Sequence, residues 1–283
     1  MIHTSKQLKD KVRNISMSDN DIAKTLIRNY IMERFLERIS LSKYRTRFIL
    51  KGGLLVSSIV GVDARATMDI DTTVKSLPLN ENDIRRIIAE ICEISIEDSV
   101  KFSLTSVTDI MTDFEYPGIR VILEAKLDRL RQNIKLDIST DDVITPTAIE
   151  YNYKLMFEDR TIPLSSYNIE TLLAEKIQTI IARGIANTRM RDFYDVYEIG
   201  RISKENINKN IMDRAFYETC KKRETMFDRE KIKSILAMIK SNVVMNQMWE
   251  MYKSKNYYVG DLRWDEVISS VTKIIEKYII EGI

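Results

Sequence analysis

Residues 48–53, which read Phe-Ile-Leu-Lys-Gly-Gly, and residues 65–74, which read Arg-Ala-Thr-Met-Asp-Ile-Asp-Thr-Thr-Val, decide the fold that we predict for this chain. The first run is apolar and stops at two glycines, which is typical of a short strand that ends in a turn. Residues 54–60, mostly apolar, then predict a helix closed by Gly61. From residue 68 to residue 74 apolar and polar residues alternate, which predicts a second strand.

The second strand places two carboxylates side by side. Because a strand has a period of two, Asp69 and Asp71 share one face while their apolar neighbours face a core. Two adjacent carboxylates repel unless a cation or a shared proton relieves them, and their hard oxygen atoms suit Mg²⁺ that carries phosphates. The backbone amides of Gly52 and Gly53 can approach phosphate oxygens, and a helix that begins there directs its positive end at them. An ordinary tight turn is the alternative reading of the glycine pair.

These motifs resemble the polymerase-beta-like nucleotidyltransferases. Residues 36–39 (Leu-Glu-Arg-Ile), taken with the glycine pair, Arg65, Thr67 and the two aspartates, are similar to the AbiEii/AbiGii abortive-infection toxin family. The resemblance implies that Asp69 and Asp71 hold metal and that Gly52 and Gly53 bind the nucleotide. Leu54 stands where relatives often carry a hydroxyl residue, and we expect Thr67 to supply that contact instead.

Composition excludes several classes of function. The chain has 283 residues, 44% of them hydrophobic, and a formal net charge of +2, so we expect a folded cytoplasmic protein with no membrane span and no signal peptide. Cys92 and Cys220 lie far apart, which indicates neither a disulfide framework nor a zinc site. The single histidine, His3, lies near the terminus, so catalysis must depend on carboxylates, lysines and metal.

Positive charge is concentrated at the start of the chain. Residues 1–50 contain eleven lysine or arginine residues against five aspartate or glutamate residues. A solvated helical surface is one explanation, and a track for an RNA backbone is the other.

Periodicity predicts an α+β protein with two domains. Residues 1–165 would form N-terminal helices and a mixed-sheet nucleotidyltransferase domain, with strands over 102–107, 118–124 and 133–139. Pro163 and the serines that follow it mark the boundary. Residues 166–283 would form an all-helical domain, in which Gly200 ends a helix that begins at Arg189.

A third carboxylate lies on a later strand. In residues 134–139 the apolar side chains share one face, and Asp137 stands on the other with Lys135 and Ser139. The resemblance implies that Asp137 completes a two-metal site beside Asp69 and Asp71. An exposed strand residue without catalytic function is the alternative.

A lysine interrupts an apolar helix face in the second half of the chain. Lys176 falls near the middle of a stripe of leucines and isoleucines, so it must extend to solvent or meet a negative group at the domain interface, such as a triphosphate. Asp192 and Asp195 are expected on the polar flank of the next helix. They would form an Arg–Asp network between the domains or act directly, and a pair with Arg191 would also explain Asp195. The resemblance implies that Asp192 positions Lys176 or the acceptor.

The resemblance implies a toxin that transfers nucleotides from a nucleoside triphosphate, with release of pyrophosphate, onto RNA such as the 3′ end of tRNA. The expected partners are a nucleoside triphosphate, the RNA acceptor and a cognate antitoxin, in a system that defends against phage. Two alternatives stay open. One is a nucleotidyltransferase acting on a small molecule such as an antibiotic, and the other is a nucleotide-binding regulator without catalysis.

Overall fold

The computed structural model describes residues 1–17, 19–61, 65–78, 80–111, 117–203 and 205–281. The chain divides into two compact units. The sheet unit comprises Met1–Ser58, Ala66–Asp142 and Ile149–Ser166, and the helical unit comprises Ile59–Arg65, Val143–Ala148 and Tyr167–Ile283. No helix within the described ranges is long and apolar enough to cross a membrane.

Seven strands form one mixed sheet in the sheet unit. They are β1 (Phe48–Lys51), β2 (Asp69–Val74), β3 (Lys101–Met111), β4 (Pro117–Leu127), β5 (Leu130–Thr140), β6 (Ile149–Lys154) and β7 (Thr161–Ser166). Their order across the sheet is β3-β4-β5-β2-β1-β7-β6. β2 runs parallel to β5 and antiparallel to β1, and β1 runs parallel to β7. The prediction of a mixed sheet is confirmed.

Strand β7 ends at the predicted domain boundary, because it contains Pro163 and the serines that follow, and the next residue, Tyr167, belongs to the helical unit. Its Pro163 has no N–H to donate, which normally argues against a strand inside a sheet. In this sheet β1 pairs with β7 only at residues 165 and 166, so at Pro163 the strand is paired on the β6 side alone. The carbonyl oxygen of Pro163 accepts a hydrogen bond from Ser40 Oγ at 2.8 Å. The strand therefore tolerates the proline, because β7 forms no ladder with β1 at this position.

Four helices accompany the strands over residues 1–92: α1 (Ser5–Ser16), α2 (Asn20–Leu41), α3 (Gly52–Val60) and α4 (Glu81–Cys92). Asp19 is the N-cap of α2, because its side chain accepts hydrogen bonds from the amides of residues 21 and 22. Residue 18, which precedes this cap, lies outside the described residues. Phe35 of α2 contacts Phe102 of β3 with ring centroids 5.4 Å apart, so α2 covers the apolar face of the sheet.

The basic N-terminal segment is not simply a solvated surface. Arg34 and Arg38 on α2 are buried, with 0% and 3% of their surface exposed. Arg38 donates two hydrogen bonds to Asp98, at 2.8 and 3.0 Å, and Arg34 pairs with Glu37 at 2.8 Å. Neither arginine is available to an RNA backbone. The sequence could not reveal this, because the carboxylate of Asp98 lies 60 residues away.

The helical unit confirms the predicted helical C-terminal region. Its helices are α5 (Ile169–Arg183), α6 (Met190–Ile202), α7 (Lys209–Lys222), α8 (Arg229–Ser241), α9 (Val243–Lys255) and α10 (Trp264–Ile275), with a π-helical turn at Glu276–Ile280. Gly200 does not end α6, as the sequence predicted, because the helix continues to Ile202. A Cβ at Gly200 would lie 2.2 Å from Ile274 Cδ1 on α10. This glycine serves close helix packing.

Candidate active site

Strands β2 and β5 bring the three predicted carboxylates onto one face of the sheet. The parallel register pairs Asp71 with Asp137 and Asp69 with Lys135, and paired residues of neighbouring strands point to the same face. The side chains of Asp69 and Asp137 keep 29% and 21% of their surface exposed. The carboxylates are therefore neither sealed in the core nor free on the surface.

Two cations lie among these carboxylates. Lys135 Nζ is 2.7 Å from Asp69 Oδ2 and 3.7 Å from Asp137 Oδ2. Arg120, on β4, donates from Nε and Nη2 to the two oxygens of Asp137 at 2.8 and 2.9 Å. The hydrogen bond to Asp137 raises the pKa of the Arg120 guanidinium above its ordinary value. Sequence reasoning placed Lys135 on this face without a role and missed Arg120, which only the β4–β5 register brings here.

The glycine turn is fitted around Asp71. Gly52 has a φ of +63°, and a Cβ built on it would lie 2.2 Å from Asp71 Oδ2. The backbone N–H of Gly53 donates to Asp71 Oδ2 at 3.3 Å. Since α3 begins at Gly52, the positive end of this helix is directed at the Asp71 carboxylate. The two glycines thus hold a metal-ligand candidate in place, in addition to any contact with phosphate.

Thr67 is 3% exposed, and its Oγ1 donates to the carbonyl oxygen of Asp69 at 3.4 Å. The hydroxyl therefore fixes the entry to β2.

A further lysine lies at the edge of this face. Lys51 is paired with Asp71 across β1 and β2, and its ammonium forms an ion pair with Asp142. Asp142 also accepts a hydrogen bond from Ser139 Oγ at 2.7 Å. None of these three polar groups had a role predicted from the sequence. Lys51 was recognisable only by its place immediately before the glycine pair.

Asp69 and Asp71 have the chemistry of Mg²⁺ ligands, since both offer carboxylate oxygens on one strand face. A site with three carboxylate ligands is not observed in the part of the chain that the structure describes. Among the described residues no group of three or more Asp, Glu, His or Cys side chains is arranged to hold a metal ion. Asp137 is the residue that departs from the expected set, because Arg120 engages both of its oxygens.

The helical unit holds the other predicted site residues in a cluster of its own. Lys176 Nζ lies 2.7 Å from Asp195 Oδ2 and 3.2 Å from Asp192 Oδ1, and only 11% of the lysine side chain is exposed. Of the two predicted possibilities for Lys176, a negative partner is the one observed. Arg189 Nε lies 3.0 Å from Asp192 Oδ2, as its position one turn earlier indicated.

The two aspartates of α6 are buried, so the expectation of a polar flank was wrong. Asp195 is fully buried and Asp192 is 3% exposed. Arg65 is the main partner of Asp195, through Nε at 2.8 Å and Nη2 at 3.2 Å, and Arg191 is exposed instead. Burial by itself would raise the pKa of Asp195, but the charges of Arg65 and Lys176 outweigh it and hold that pKa well below its ordinary value.

Comparison with known proteins gives one family. The profile described as "Nucleotidyl transferase AbiEii toxin, Type IV TA system" matches residues 34–270, which is most of the chain. No curated protein matches.

Several solved structures are similar to this chain, among them these three. A candidate nucleotidyltransferase from H. pylori is 15% identical, with coverage of 91% of this chain and 97% of that chain and a TM-score of 0.49. JHP933 from Helicobacter pylori is 16% identical, with coverage of 91% and 94% and a TM-score of 0.48. An antigenic nucleotidyltransferase-like protein from Paracoccidioides brasiliensis is 15% identical, with coverage of 81% and 94% and a TM-score of 0.38. At these values the likeness carries no information about activity.

Proposed function

Because this chain belongs to the AbiEii nucleotidyl transferase toxin family of type IV toxin–antitoxin systems, as its sequence motifs predicted, we propose that it transfers a nucleotide onto an RNA acceptor. The donor is a nucleoside triphosphate, and the 3′ end of a tRNA is the acceptor we favour. A hydroxyl oxygen of the acceptor attacks the α-phosphorus, and the hydroxyl proton passes to solvent. The bond from that phosphorus to the β-phosphate breaks, and pyrophosphate leaves.

The observation that carries this proposal is the register of β2 and β5. It places Asp69, Asp71 and Asp137 on one half-open face beside the N-terminus of α3. Asp69 and Asp71 would hold Mg²⁺, which supplies the positive charge that a triphosphate and its leaving group require. From the glycine side, the amide of Gly53 and the N-terminal end of α3 orient Asp71.

Lys176 and Asp192 take their proposed roles from the family resemblance. Lys176 would neutralise charge on the departing pyrophosphate, and Asp192 would position its ammonium. Their observed separation of 3.2 Å is consistent with positioning. Gly52 and Gly53 would complete the nucleotide site, and the buried Thr67 would support it by holding the start of β2. A cognate antitoxin and a role in phage defence are proposed from the type of system.

Incorporation of labelled nucleotide tests the proposal. The protein is incubated with each labelled nucleoside triphosphate in turn, with Mg²⁺ and total cellular RNA, and the products are separated by size. We expect label in RNA of tRNA length, dependent on Mg²⁺. Asp69→Asn should reduce incorporation at least about 100-fold, since it removes a charged metal ligand at almost constant size. Asp109→Asn, at an exposed aspartate of β3, is the matched control and should leave incorporation unchanged.

Two other outcomes would overturn the RNA assignment. Label found only in a small-molecule fraction would indicate an enzyme that modifies a compound such as an antibiotic. Nucleotide binding without any incorporation, equal for wild type and Asp69→Asn, would indicate a regulator without catalysis.

A further inference from the structure

The carboxylate face already contains the positive charge that a second metal ion would bring. Three acidic groups, Asp69, Asp71 and Asp137, share this face. Lys135 forms ion pairs with Asp69 and Asp137, and Arg120 forms one with Asp137. Carboxylates collected on one strand face need cations to relieve their repulsion. Here side chains supply most of that relief without any ion.

Lys135 stands between two carboxylates that a two-metal site would use. Its ammonium is within 2.7 Å of an Asp69 oxygen and 3.7 Å of an Asp137 oxygen. A metal ion that bridged the same two residues would have to approach their oxygens to about 2.0–2.1 Å and would meet the ammonium there. Mg²⁺ and Lys135 are therefore competitors for one position.

Arg120 occupies the carboxylate of Asp137, the third acidic residue of this face. Its two parallel hydrogen bonds engage both oxygens of Asp137, a geometry that is stronger and more directional than a single contact. Asp137 cannot present a free oxygen to a metal unless at least one of these bonds breaks. Within the described residues no comparable fork engages Asp71, whose carboxylate accepts a hydrogen bond from the Gly53 amide.

We propose that Lys135 takes the place of a second metal ion, so that this site holds a single divalent cation on Asp69 and Asp71. Asp137 is then a positioning residue. With Arg120 it forms the anchor that keeps the Lys135 ammonium beside Asp69. The identity of the ligand as a metal-bound triphosphate rests on the proposed function, but the number of cations does not.

Counting bound Mn²⁺ by electron paramagnetic resonance tests the proposal on the full chain. Free Mn²⁺ is measured during a titration, first without nucleotide and then with a non-hydrolysable triphosphate analogue. We expect one Mn²⁺ per wild-type chain in both titrations. Asp69→Asn should weaken binding at least about tenfold, because it removes one of two charged ligands.

Variants of Asp137 and Lys135 distinguish residues that position the ammonium from residues that bind the metal ion. Asp137→Asn should still bind one Mn²⁺, and more tightly than Asp69→Asn does, because it keeps both charged ligands. Lys135→Ala should bind a second Mn²⁺, because the ammonium no longer occupies the position between Asp69 and Asp137, and the ion then has to displace only one of the two Arg120 hydrogen bonds.

Arg131→Ala is the control for loss of a cation on β5. Arg131 forms an ion pair with Glu124, with a distance of 2.9 Å from Arg131 Nη1 to Glu124 Oε1, and no ion pair in the described part of the chain joins it to the three aspartates. It should bind one ion like wild type.

Several results would overturn the proposal. They are two Mn²⁺ per wild-type chain, a loss of binding in Asp137→Asn as large as in Asp69→Asn, or a Lys135→Ala variant that still binds only one ion. Failure of the proposed function is distinguishable, because it would appear as absent nucleotide incorporation while the ion count is read independently. Far-ultraviolet circular dichroism of each variant identifies any that has failed to fold, and Lys135→Met, which keeps the length of the stem, then replaces Lys135→Ala.

Discussion

Replacement of Gly52 by alanine should destabilise the sheet unit and disturb the metal-ligand face together. Gly52 has a φ of +63°, a region that costs an L-residue about 1–2 kcal/mol. The new Cβ would also lie 2.2 Å from Asp71 Oδ2 and 2.7 Å from Asp71 Cβ, and overpacking of this kind costs about 1–3 kcal/mol. The sum is about 2–5 kcal/mol, a large fraction of the about 5–15 kcal/mol that holds a typical domain together.

Urea unfolding measures this loss with two probes. Both tryptophans, Trp249 and Trp264, lie in the helical unit, so their fluorescence reports its unfolding. Circular dichroism reports both units, and the sheet unit is obtained from the difference between the two curves. We expect Gly52→Ala to lower the midpoint of the sheet transition and leave the fluorescence midpoint nearly unchanged.

Two controls isolate the contact with Asp71. Gly260 has almost the same φ, +57°, but no atom within 4 Å of a built Cβ, so Gly260→Ala should cost only the backbone component, read by fluorescence. In an Asp71→Ala background the Oδ2 contact is gone, and Gly52→Ala should cost at least about 1 kcal/mol less than in wild type. If Gly52→Ala costs no more than Gly260→Ala, or costs the same with and without Asp71, the reasoning is refuted.

Three further predictions concern buried charges. Asp195→Asn should destabilise the helical unit by about 3–5 kcal/mol, measured by tryptophan fluorescence in urea, because Arg65 loses its charged partner inside the protein. Arg38→Met should destabilise the sheet unit by a similar amount, since it leaves Asp98 buried, and an equal stability of variant and wild type by circular dichroism would contradict this. Burial raises the pKa of Glu33 to about 8, so the protonated form is favoured in the folded state. Its contribution to stability should be complete below pH about 4.5 and should be lost as pH rises to about 8, and Glu33→Gln should abolish that part of the slope.

The alternation of apolar and polar residues was sufficient to place the carboxylates. Asp69 and Asp71 share a strand face because side chains alternate along any strand, and the same rule placed Asp137 opposite its apolar neighbours. The glycine pair was recognisable as a turn for a similar local reason. The sequence motifs also indicated the family, and the matching profile over residues 34–270 confirms it.

Contacts between distant residues could not be predicted in this way. Arg65 and Asp195 lie 130 residues apart, and their pairing replaces the local Arg191 pair that helix spacing suggested. Pro163 and Gly200 were read by their usual local effects, as breakers of regular structure. Pro163 nevertheless lies in a strand and Gly200 within a helix. A strand paired on one side tolerates a proline, and a close helix crossing requires a glycine.

The sequence by itself determined the type of sheet, the helical second half, the family and the residues that carry negative charge to the site. Tertiary structure alone decided which basic side chains form ion pairs with those carboxylates. The register of β4, β5 and β2 brings Arg120 and Lys135 to Asp137 and Asp69. Register depends on the pairing of whole strands across the sheet, which is a sum over many distant contacts, whereas periodicity is a property of each strand alone.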